Sequence, residues 1–290
     1  MKRIKIILKT ILKSLFIIVV ALLLAIALRV FVFSAFKIPS PSMEPVLKSD
    51  DYIIATKLVP GARIFPSLTI PYTTSRPDFR RLKGISAVKR NDVLVFNFPY
   101  TDWNKLGFDP DVYYVKRCVA IPGDTFYIRN GKYLVKGCND VLGNEQGQKD
   151  LAHCTPNNTH PYIYNCFPHR PSFGWTIKNF GPLYVPRSGD KITIDTMNIY
   201  LYKRMIEYET SARINIKSDS VFINDSLIQS YTFKTNYYFM AGDYVSDSRD
   251  SRYWGLLPED HIVGKAVVIW KSTDPVSGKI RWDRILKSIR

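Results

Sequence analysis

The sequence predicts a mainly β protein, in which an antiparallel β core carries a large inserted β-rich (α+β) domain and follows one N-terminal transmembrane helix. An apolar run near the start of the chain predicts the helix. Short segments rich in Val, Ile and aromatic residues, separated by turn residues, predict the strands. The chain has 290 residues, 46% of them hydrophobic, which is enough to build a core and excludes a disordered protein.

The apolar run occupies residues 14–36 and is long enough for a helix to cross a hydrocarbon core of ~30 Å. Its one cation, Arg29, lies close enough to the end to reach the membrane interface. A cleavable secretory signal also begins basic and then apolar, but this run is too long for one. Residues 1–13 hold five cations and no acid, so we expect them in the cytoplasm and residues 37–290 outside it.

The formal net charge is +16, which indicates an anionic neighbour, either nucleic acid or a membrane surface. A second basic cluster lies at residues 271–290, where six Lys or Arg residues face two Asp residues. No helix-turn-helix, zinc-finger or RNA-binding signature accompanies it. We therefore expect a surface that faces the lipid bilayer and no nucleic-acid partner.

The chain has four cysteines, Cys118, Cys138, Cys154 and Cys166. The last two, with His153 and His169 nearby, could bind zinc, but the CxxC spacing that makes such a site convincing is absent. We expect no metal and no cofactor. Outside the cytoplasm, disulfides Cys154–Cys166 and Cys118–Cys138 are the favoured interpretation, and free buried thiols are the alternative.

Eight segments have the composition of strands: residues 51–58, 92–99, 112–121, 125–129, 132–137, 220–224, 235–242 and 262–270. Asn130-Gly131 predicts a tight hairpin between two of them. One helix is predicted over residues 196–209, with Asp195 or Thr196 as its N-cap. Residues 138–190 have a poor strand signal. We therefore assign residues 37–128 and 234–290 to the β core and residues 129–233 to the inserted domain.

Three segments depart from ordinary β-protein sequence. The first, residues 38–45, places two serines in a loop that its prolines stiffen. The second, residues 114–124, places Lys116 on a strand. The third, residues 242–255, is a loop rich in Ser, Asp and Arg that a Trp-Gly pair closes. Each segment alone has an ordinary interpretation: the first as a rigid stalk, the second as a strand with a solvated lysine, and the third as a polar surface loop.

Together the three segments suffice for a serine–lysine hydrolase. A serine hydroxyl is a weak nucleophile and needs a base to accept its proton. A lysine can act as that base only when neutral, and burial lowers its pKa from the ordinary value of about 10.4. None of the four histidines has a spaced cysteine or carboxylate partner that would make it an alternative base.

In these segments the chain resembles the type I signal peptidases of the bacterial inner membrane. The motifs Pro-Ser-x-Ser-Met-x-Pro, Lys-Arg-x-x-x-x-Pro-Gly-Asp and Gly-Asp-(x)₆-Asp-Ser-Arg-x-x-Gly occur behind the apolar run in the family order. The resemblance implies that Ser42 is the nucleophile, that Lys116 is the general base and that Ser248 orients the lysine amine. It also implies an oxyanion hole made by the backbone N–H of Ser42 and the hydroxyl of Ser40.

By the same resemblance, Asp250 and Arg252 support the third loop. The residues implied to line shallow pockets that accept Ala-x-Ala before the cut are Phe36, Ile38, Tyr114 and Val115. Two departures from the family pattern leave the loop's hydrogen bonding open: Tyr244-Val245 stands where Asn-Arg is usual, and Asp247 where Asn is common. The resemblance carries over no role for residues 129–233.

The resulting expectation is a monomeric serine endopeptidase with a single membrane span and an extracytoplasmic catalytic domain, which removes signal peptides from exported preproteins. Its partners would be preprotein signal peptides and the lipid bilayer. The alternative from another class is a membrane-tethered β-rich binding or scaffold protein in which the dyad is inactive. A self-cleaving serine–lysine regulator is disfavoured, because the chain has an anchor and no DNA-binding region.

Overall fold

The computed structural model describes residues 2–67, 69–100 and 105–290. Helices are α1 (Lys2–Phe31), α2 (Glu145–Leu151), α3 (Pro161–Tyr164), α4 (Ile199–Thr210) and α5 (Ser251–Trp254). Short 3₁₀ turns lie at Pro171–Phe173, Glu259–His261 and Trp282–Arg284. The strands are β1 (Phe33–Lys37), β2 (Asp51–Thr56), β3 (Arg63–Ile64), β4 (Arg80–Arg81), β5 (Val93–Asn97), β6 (Tyr113–Ala120), β7 (Thr125–Arg129), β8 (Lys132–Val135), β9 (Phe180–Tyr184), β10 (Lys191–Thr193), β11 (Ile214–Lys217), β12 (Ser220–Ile223), β13 (Ser226–Ile228), β14 (Ser230–Thr232), β15 (Tyr237–Ala241), β16 (Leu257–Pro258) and β17 (Ile262–Ser272).

Helix α1 begins with a basic segment and is mainly apolar from residue 14 onwards, and its portion Lys5–Phe31 is long and apolar enough to cross a membrane. The predicted span to Phe36 is wrong at its C-terminal end, because the helix ends at Phe31 and the next residues form β1. Strand β1 pairs antiparallel with β2 along its whole length, so its backbone groups bond to the sheet rather than to a further helical turn. Lys57 Nζ donates to the carbonyls of Arg29 and Val30, at 2.7 and 3.2 Å, and so caps the helix.

A seven-stranded antiparallel sheet, in the order β1-β2-β17-β5-β6-β15-β16, is the centre of the molecule. Successive residues of β5 enter different hydrophobic clusters: Leu94 and Phe96 belong to the larger one, Val93 and Val95 to the smaller. This alternation follows from the pleat of a strand and shows that both faces of the sheet are covered. The predicted mainly β, antiparallel fold is confirmed.

The hairpin predicted at Asn130-Gly131 is also confirmed. These two residues connect β7 to β8 with positive φ angles of 48° and 79°, as the tight turn requires. Strand β7 also pairs with β9, which lies in a segment with a poor strand signal. The packing of Phe180 of β9 against Phe126 and Phe239 explains why this segment becomes a strand despite its composition.

Each of the eight predicted strand segments contains a strand, and the predicted helix is α4. The predicted N-cap, Asp195 or Thr196, is wrong, because the N-cap of α4 is Asn198. Asp195 stabilises the turn before the helix, since its carboxylate accepts from the N–H groups of Met197 and Asn198 at 2.8 and 2.6 Å. The division of the chain at residues 129 and 233 stays a prediction. The ring of Phe180, in the predicted insertion, packs on Phe239 of the predicted core with centroids 5.5 Å apart, so the two predicted parts share one hydrophobic cluster.

All four cysteines are free, so the structure contains neither expected disulfide, Cys154–Cys166 or Cys118–Cys138. Cys118 lies inside β6, buried in the larger cluster, and its thiol donates to the carbonyl of Ala120. The thiol of Cys166 is likewise bound to a nearby carbonyl, that of Tyr164. Each buried thiol thus has its own site in the core, which is the alternative that the sequence left open.

The C-terminal basic cluster does not present all its charge outwards, and the expectation that it faces the bilayer stays a prediction. Arg281 and Arg284 both pair with the buried carboxylate of Asp51, at 3.3 and 2.5 Å. Beside them the side chains of Trp282 and Leu286 are 73% and 76% exposed. Inside this segment the arginines hold the chain to the sheet, and the large apolar side chains face outwards.

Candidate active site

The loop that carries Ser42 connects β1 to β2 and is held at both ends. Ile38 exchanges main-chain hydrogen bonds with β2, donating to Asp51 O and accepting from Asp50 N at 2.8 and 2.9 Å. The Met43 side chain is buried in the smaller hydrophobic cluster. Anchors on either side of Ser42, together with the prolines between them, restrict where its hydroxyl can lie.

Lys116 lies on β6, between β5 and β15, and its side chain is 3% exposed. Its amine is 2.6 Å from Ser42 Oγ and donates to the carbonyl of Val115 at 3.1 Å. Burial lowers the pKa of Lys116 from 10.5 to about 8, against the opposing effects of Asp250 and Asp243. The structure therefore brings together the serine and the lysine that the sequence singled out, and it makes the lysine easier to deprotonate.

The third loop is tied to the other two by its acids and its main chain. Asp243 forms a buried bidentate ion pair with Arg117, the neighbour of Lys116, with both distances 2.6 Å. Tyr244 N donates to the carbonyl of Ser42 at 3.2 Å. Tyr244, one of the two departures from the family pattern, thus contributes its backbone to the serine loop while its ring is partly exposed.

The ion pair expected between Asp250 and Arg252 is formed. Both side chains are fully buried, and the guanidinium donates two hydrogen bonds of 2.8 and 2.7 Å to the carboxylate. The same carboxylate accepts from Gly242 N at 2.9 Å, which closes the loop on itself. Trp254 packs against Phe96 and Phe98 with centroids 6.2 Å apart in each case, so the loop ends in the apolar core.

Ser248 lies in this loop and is buried, but the hydrogen bond to Lys116 that the resemblance implied is not formed here. Its hydroxyl has no hydrogen-bond partner among the residues that the structure describes. The hydroxyl instead packs on Gly242, where an added Cβ would come within 2.1 Å of it. Lys116 meets Ser42 and a main-chain carbonyl instead, which leaves the Ser248 hydroxyl unsatisfied.

A cavity of about 390 Å³ opens beside Ser42 and Lys116. The four residues implied as pocket residues all line it, namely Phe36, Ile38, Tyr114 and Val115. Ser40 lines it too, with its hydroxyl oxygen 3.3 Å from that of Ser42. The structure thus collects every predicted pocket, nucleophile, base and oxyanion residue around one cavity, which we call the catalytic cavity.

Tyr113, Asp247 and Arg249 also line the cavity, and no pocket role was predicted for them from the sequence. Tyr113 packs its ring on Phe36, with centroids 5.2 Å apart. Neighbouring residues of a strand point to opposite faces, so Tyr113 and Tyr114 lie on different faces of β6. Both can line the cavity because they are at the start of the strand. Asp247 and Arg249 flank Ser248 in the chain, and their position beside a predicted site residue was the signal that could have identified them.

Within the described ranges, no group of three or more His, Cys, Asp or Glu side chains could hold a metal ion. Histidine is absent from the lining of the catalytic cavity. His261, which is fully buried, binds the carbonyl of Gly107 at 2.9 Å. In this cavity the amine of Lys116 lies within hydrogen-bond distance of Ser42 Oγ.

An antiparallel β fold with a serine hydroxyl beside a buried lysine amine is the arrangement of a serine hydrolase. The chain belongs to the family of signal peptidases, peptidase S26, whose model matches residues 10–159 and 185–271. It is thus a serine endopeptidase that cleaves signal peptides, and the family resemblance seen in the motifs is confirmed.

Curated relatives named signal peptidase I cover most of the chain. The protein of Buchnera aphidicola subsp. Baizongia pistaciae is 29% identical over 91% of this chain and 79% of its own length. The protein of Pseudomonas aeruginosa is 28% identical over 87% and 69%, and that of Aquifex aeolicus 28% over 89% and 82%. The family model leaves residues 160–184 unmatched, within the segment predicted as an insertion.

Proposed function

We propose that this chain is a membrane-anchored signal peptidase in which Ser42 and Lys116 form the catalytic dyad and which cuts preproteins after Ala-x-Ala. The observation that carries the proposal is the 2.6 Å contact between Ser42 Oγ and the buried Lys116 amine. A nucleophile and a base within hydrogen-bond distance are the requirement for activating a serine.

In the proposed reaction, neutral Lys116 accepts the proton of Ser42 while Ser42 Oγ attacks the scissile carbonyl. The lysine then returns the proton to the leaving amine, and an acyl-enzyme remains on Ser42. After the mature protein has left with that amine, water deprotonated by Lys116 attacks the ester; the lysine passes this proton to Ser42 Oγ, and the signal peptide leaves with a new carboxylate. In each half of the reaction the lysine accepts one proton and then donates it, so its amine is neutral again at the end.

The negative charge on the tetrahedral carbonyl oxygen would be held by Ser42 N–H and by the Ser40 hydroxyl. The separation of 3.3 Å between the two serine oxygens supports this, since the Ser40 hydroxyl can turn towards an oxygen bound at Ser42. In the proposed role of Ser248, its unsatisfied hydroxyl turns to Lys116 once Ser42 is acylated. Lys116 would then keep two hydrogen-bond partners through the cycle.

Small side chains before the cut are favoured by the shape of the catalytic cavity. Aromatic and branched side chains occupy its wall, among them Phe36, Tyr114 and Val115, so a methyl group fits where a larger group would clash. Strand β1 lies at one edge of the sheet, with β2 as its partner on one side. We propose that the substrate lies extended along this edge, where main-chain hydrogen bonds are open to it.

We further propose that α1 anchors the enzyme in the bacterial inner membrane, with residues 1–13 in the cytoplasm and the catalytic cavity on the opposite side. Ser42 lies only eleven residues beyond the end of the helix at Phe31. The nucleophile would therefore stay close to the bilayer, where a signal peptide's cleavage site emerges. The proposed enzyme acts as a monomer with the bilayer and the preprotein as its partners.

Preprotein cleavage by the full chain in detergent micelles tests the proposal. We expect Ser42→Ala and Lys116→Ala to abolish processing, since each removes one half of the dyad. Lys48→Ala is the matched control: this lysine is in the same loop but exposed, and we expect full activity. Retained processing in either dyad variant would overturn the mechanism, and an inactive wild type would favour the scaffold alternative.

A further inference from the structure

A second cavity, of about 690 Å³, lies against helix α4 and shares no lining residue with the catalytic cavity. One face of α4 forms its wall, through side chains spaced three and four residues apart: Tyr200, Lys203, Arg204, Glu207 and Tyr208. The opposite walls come from segments 74–75, 105–106, 167–170 and 211–213. We call this the α4 cavity.

The α4 cavity is strongly cationic. Five basic side chains line it, Lys105, Arg170, Lys203, Arg204 and Arg213, against one carboxylate, Glu207. That carboxylate is already engaged, because it accepts from Ile214 N at 2.9 Å and lies 3.9 Å from Lys203. Positive charges gathered in a concavity repel one another and raise the local concentration of anions.

Two of the arginines are held in place by aromatic rings. The guanidinium of Arg170 lies 4.3 Å from the ring centroid of Tyr200, and that of Arg204 lies 5.4 Å from the ring of Tyr100. A stacked guanidinium keeps its plane and directs its N–H groups sideways. Contact with a ring restrains each of these guanidinium groups, whose paired N–H groups can bind a ligand with two or more oxygens.

A row of cations on a helix is most often a solvated outer face. Here the cations come from separate segments of the chain, and they converge on one concavity. Lys203 and Arg204, on the helix, are half-buried, whereas Lys105, Arg170 and Arg213 are exposed at the rim of the cavity. Cations that converge from several segments indicate a binding site, because bringing like charges together gives a solvent-exposed surface no gain in stability.

We propose that the α4 cavity binds a phosphate-bearing anion. Arginine forks match phosphate oxygens with paired hydrogen bonds, and the hydroxyls of Ser75 and Ser211 at the cavity add neutral donors. The volume lies within the range of ordinary small-molecule sites, roughly 300–1,000 Å³. A soluble phosphate ester and a phospholipid headgroup share this chemistry. The site is independent of the proposed catalytic dyad.

Titration calorimetry with pyrophosphate, on the full chain in non-ionic detergent micelles, tests the proposal. We expect saturable binding with one pyrophosphate per chain, weakened ~10-fold or more in Lys203→Gln/Arg213→Gln, which removes two of the cationic groups. The matched control is Lys191→Gln/Lys234→Gln, which removes the same net charge from exposed positions outside the cavity and should leave the affinity unchanged.

Two further ligands distinguish the sources of the phosphate. Tighter binding of glycerol 3-phosphate would identify a soluble ester, and tighter binding of dihexanoyl phosphatidic acid would identify a lipid headgroup. Either result supports the phosphate site if the ligand binds more weakly to Lys203→Gln/Arg213→Gln than to the wild type. The proposal is overturned if pyrophosphate does not bind, if the cavity variant and the control variant bind equally, or if only an acidic peptide such as hexaglutamate binds.

Discussion

Lys116 Nζ lies 2.6 Å from Ser42 Oγ, although the two residues are 74 positions apart in the chain. In the sheet, strands β17 and β5 separate β2 from β6, so the loop after β1 has to reach across towards β6. The hydrogen bond from Tyr244 N to the carbonyl of Ser42 holds the loop there. The contact between serine and lysine therefore depends on a third segment that belongs to neither.

The rate of signal-peptide cleavage should rise with pH. With a pKa of about 8, about one Lys116 amine in ten is neutral at pH 7, compared with roughly three in ten thousand at the ordinary value. Because only the neutral amine accepts a proton, we expect kcat/KM to increase up to about pH 8 and then level off. Measuring kcat/KM from about pH 6 to pH 9 checks this, and a flat profile would exclude a lysine base.

Replacing Lys116 by methionine should stabilise the protein while it abolishes activity. Below pH 8 the buried amine is protonated in both the folded and the unfolded chain, and its lowered pKa corresponds to a cost of ~3 kcal/mol. We expect Lys116→Met to unfold at a higher urea concentration than wild type at pH 7. Lys48→Met, at an exposed site, is the control.

The advantage of Lys116→Met should shrink as the pH rises from about 8 towards 10.5, because the folded wild type loses its proton in this range while the unfolded chain still holds it. Stability of the wild type therefore rises with pH through this window. A stability difference independent of pH would show that the amine is not buried in its charged form.

Gly242→Ala should abolish catalysis with little loss of secondary structure. An added Cβ would lie 2.1 Å from Ser248 Oγ and 2.6 Å from the carbonyl of Ser42, so the loops of both serines must shift. We expect a fall in kcat of at least ~100-fold, which a displacement of about 1 Å can produce. Circular dichroism confirms the fold.

Gly278→Ala is the matched control for Gly242→Ala. Gly278 has a positive φ of 67° and no atom within reach of an added Cβ, so alanine there costs only about 1 kcal/mol of backbone strain. Its activity should equal that of wild type. Normal activity in Gly242→Ala would show that the position of the Ser248 loop does not matter for the reaction.

Asp51→Asn should loosen the C-terminal segment, residues 273–290, from the sheet. Asp51 receives Arg281, Arg284 and Ser272 in a buried site, and removing its charge leaves two arginines unpaired at a cost of ~3–5 kcal/mol. Hydrogen exchange of the segment should accelerate while that of β5 and β6 changes less. Asp283→Asn, an exposed acid in the same segment, should leave exchange unchanged.

The same cluster sets a limit on acid stability. Burial raises the pKa of Asp51, but hydrogen bonds from Arg284 and Ser272 outweigh it and hold the pKa below 3.8. Its contribution is therefore complete above pH 4 and lost as the pH falls through the lowered pKa. If the Asp51→Asn and wild-type proteins lost stability in parallel below pH 4, the cluster would carry no such contribution.

Thiol titration should find four reactive cysteines in the denatured chain without reductant. All four are free in the structure, and Cys118 and Cys166 are buried. Burial raises the pKa of both these thiols, so we expect them to react far more slowly than Cys138 and Cys154 in the native protein. Two reactive thiols instead of four would point to one disulfide.

The local elements could be read from the sequence because their signals are local. Alternation and β-branched residues mark β5 and β6, Asn130-Gly131 marks the hairpin, and periodicity marks α4. Strand β9 could not be read this way, because its pairing depends on aromatic contacts made by distant residues. The end of α1 was missed for a similar reason: residues 33–36 are apolar enough for a membrane helix, but pairing with β2 satisfies their backbone.

By itself, the sequence determined the family and singled out Ser42, Lys116 and the Asp250–Arg252 pair as candidates, since these residue types occur in a fixed order. Tertiary structure alone decided how these groups behave. It buried Lys116 and lowered its pKa, left the hydroxyl of Ser248 without a partner among the described residues, and turned Arg284 inwards to Asp51. It also gathered the cations of the α4 cavity from separate segments. Burial and proximity depend on which distant segments meet, and short-range sequence patterns do not encode that.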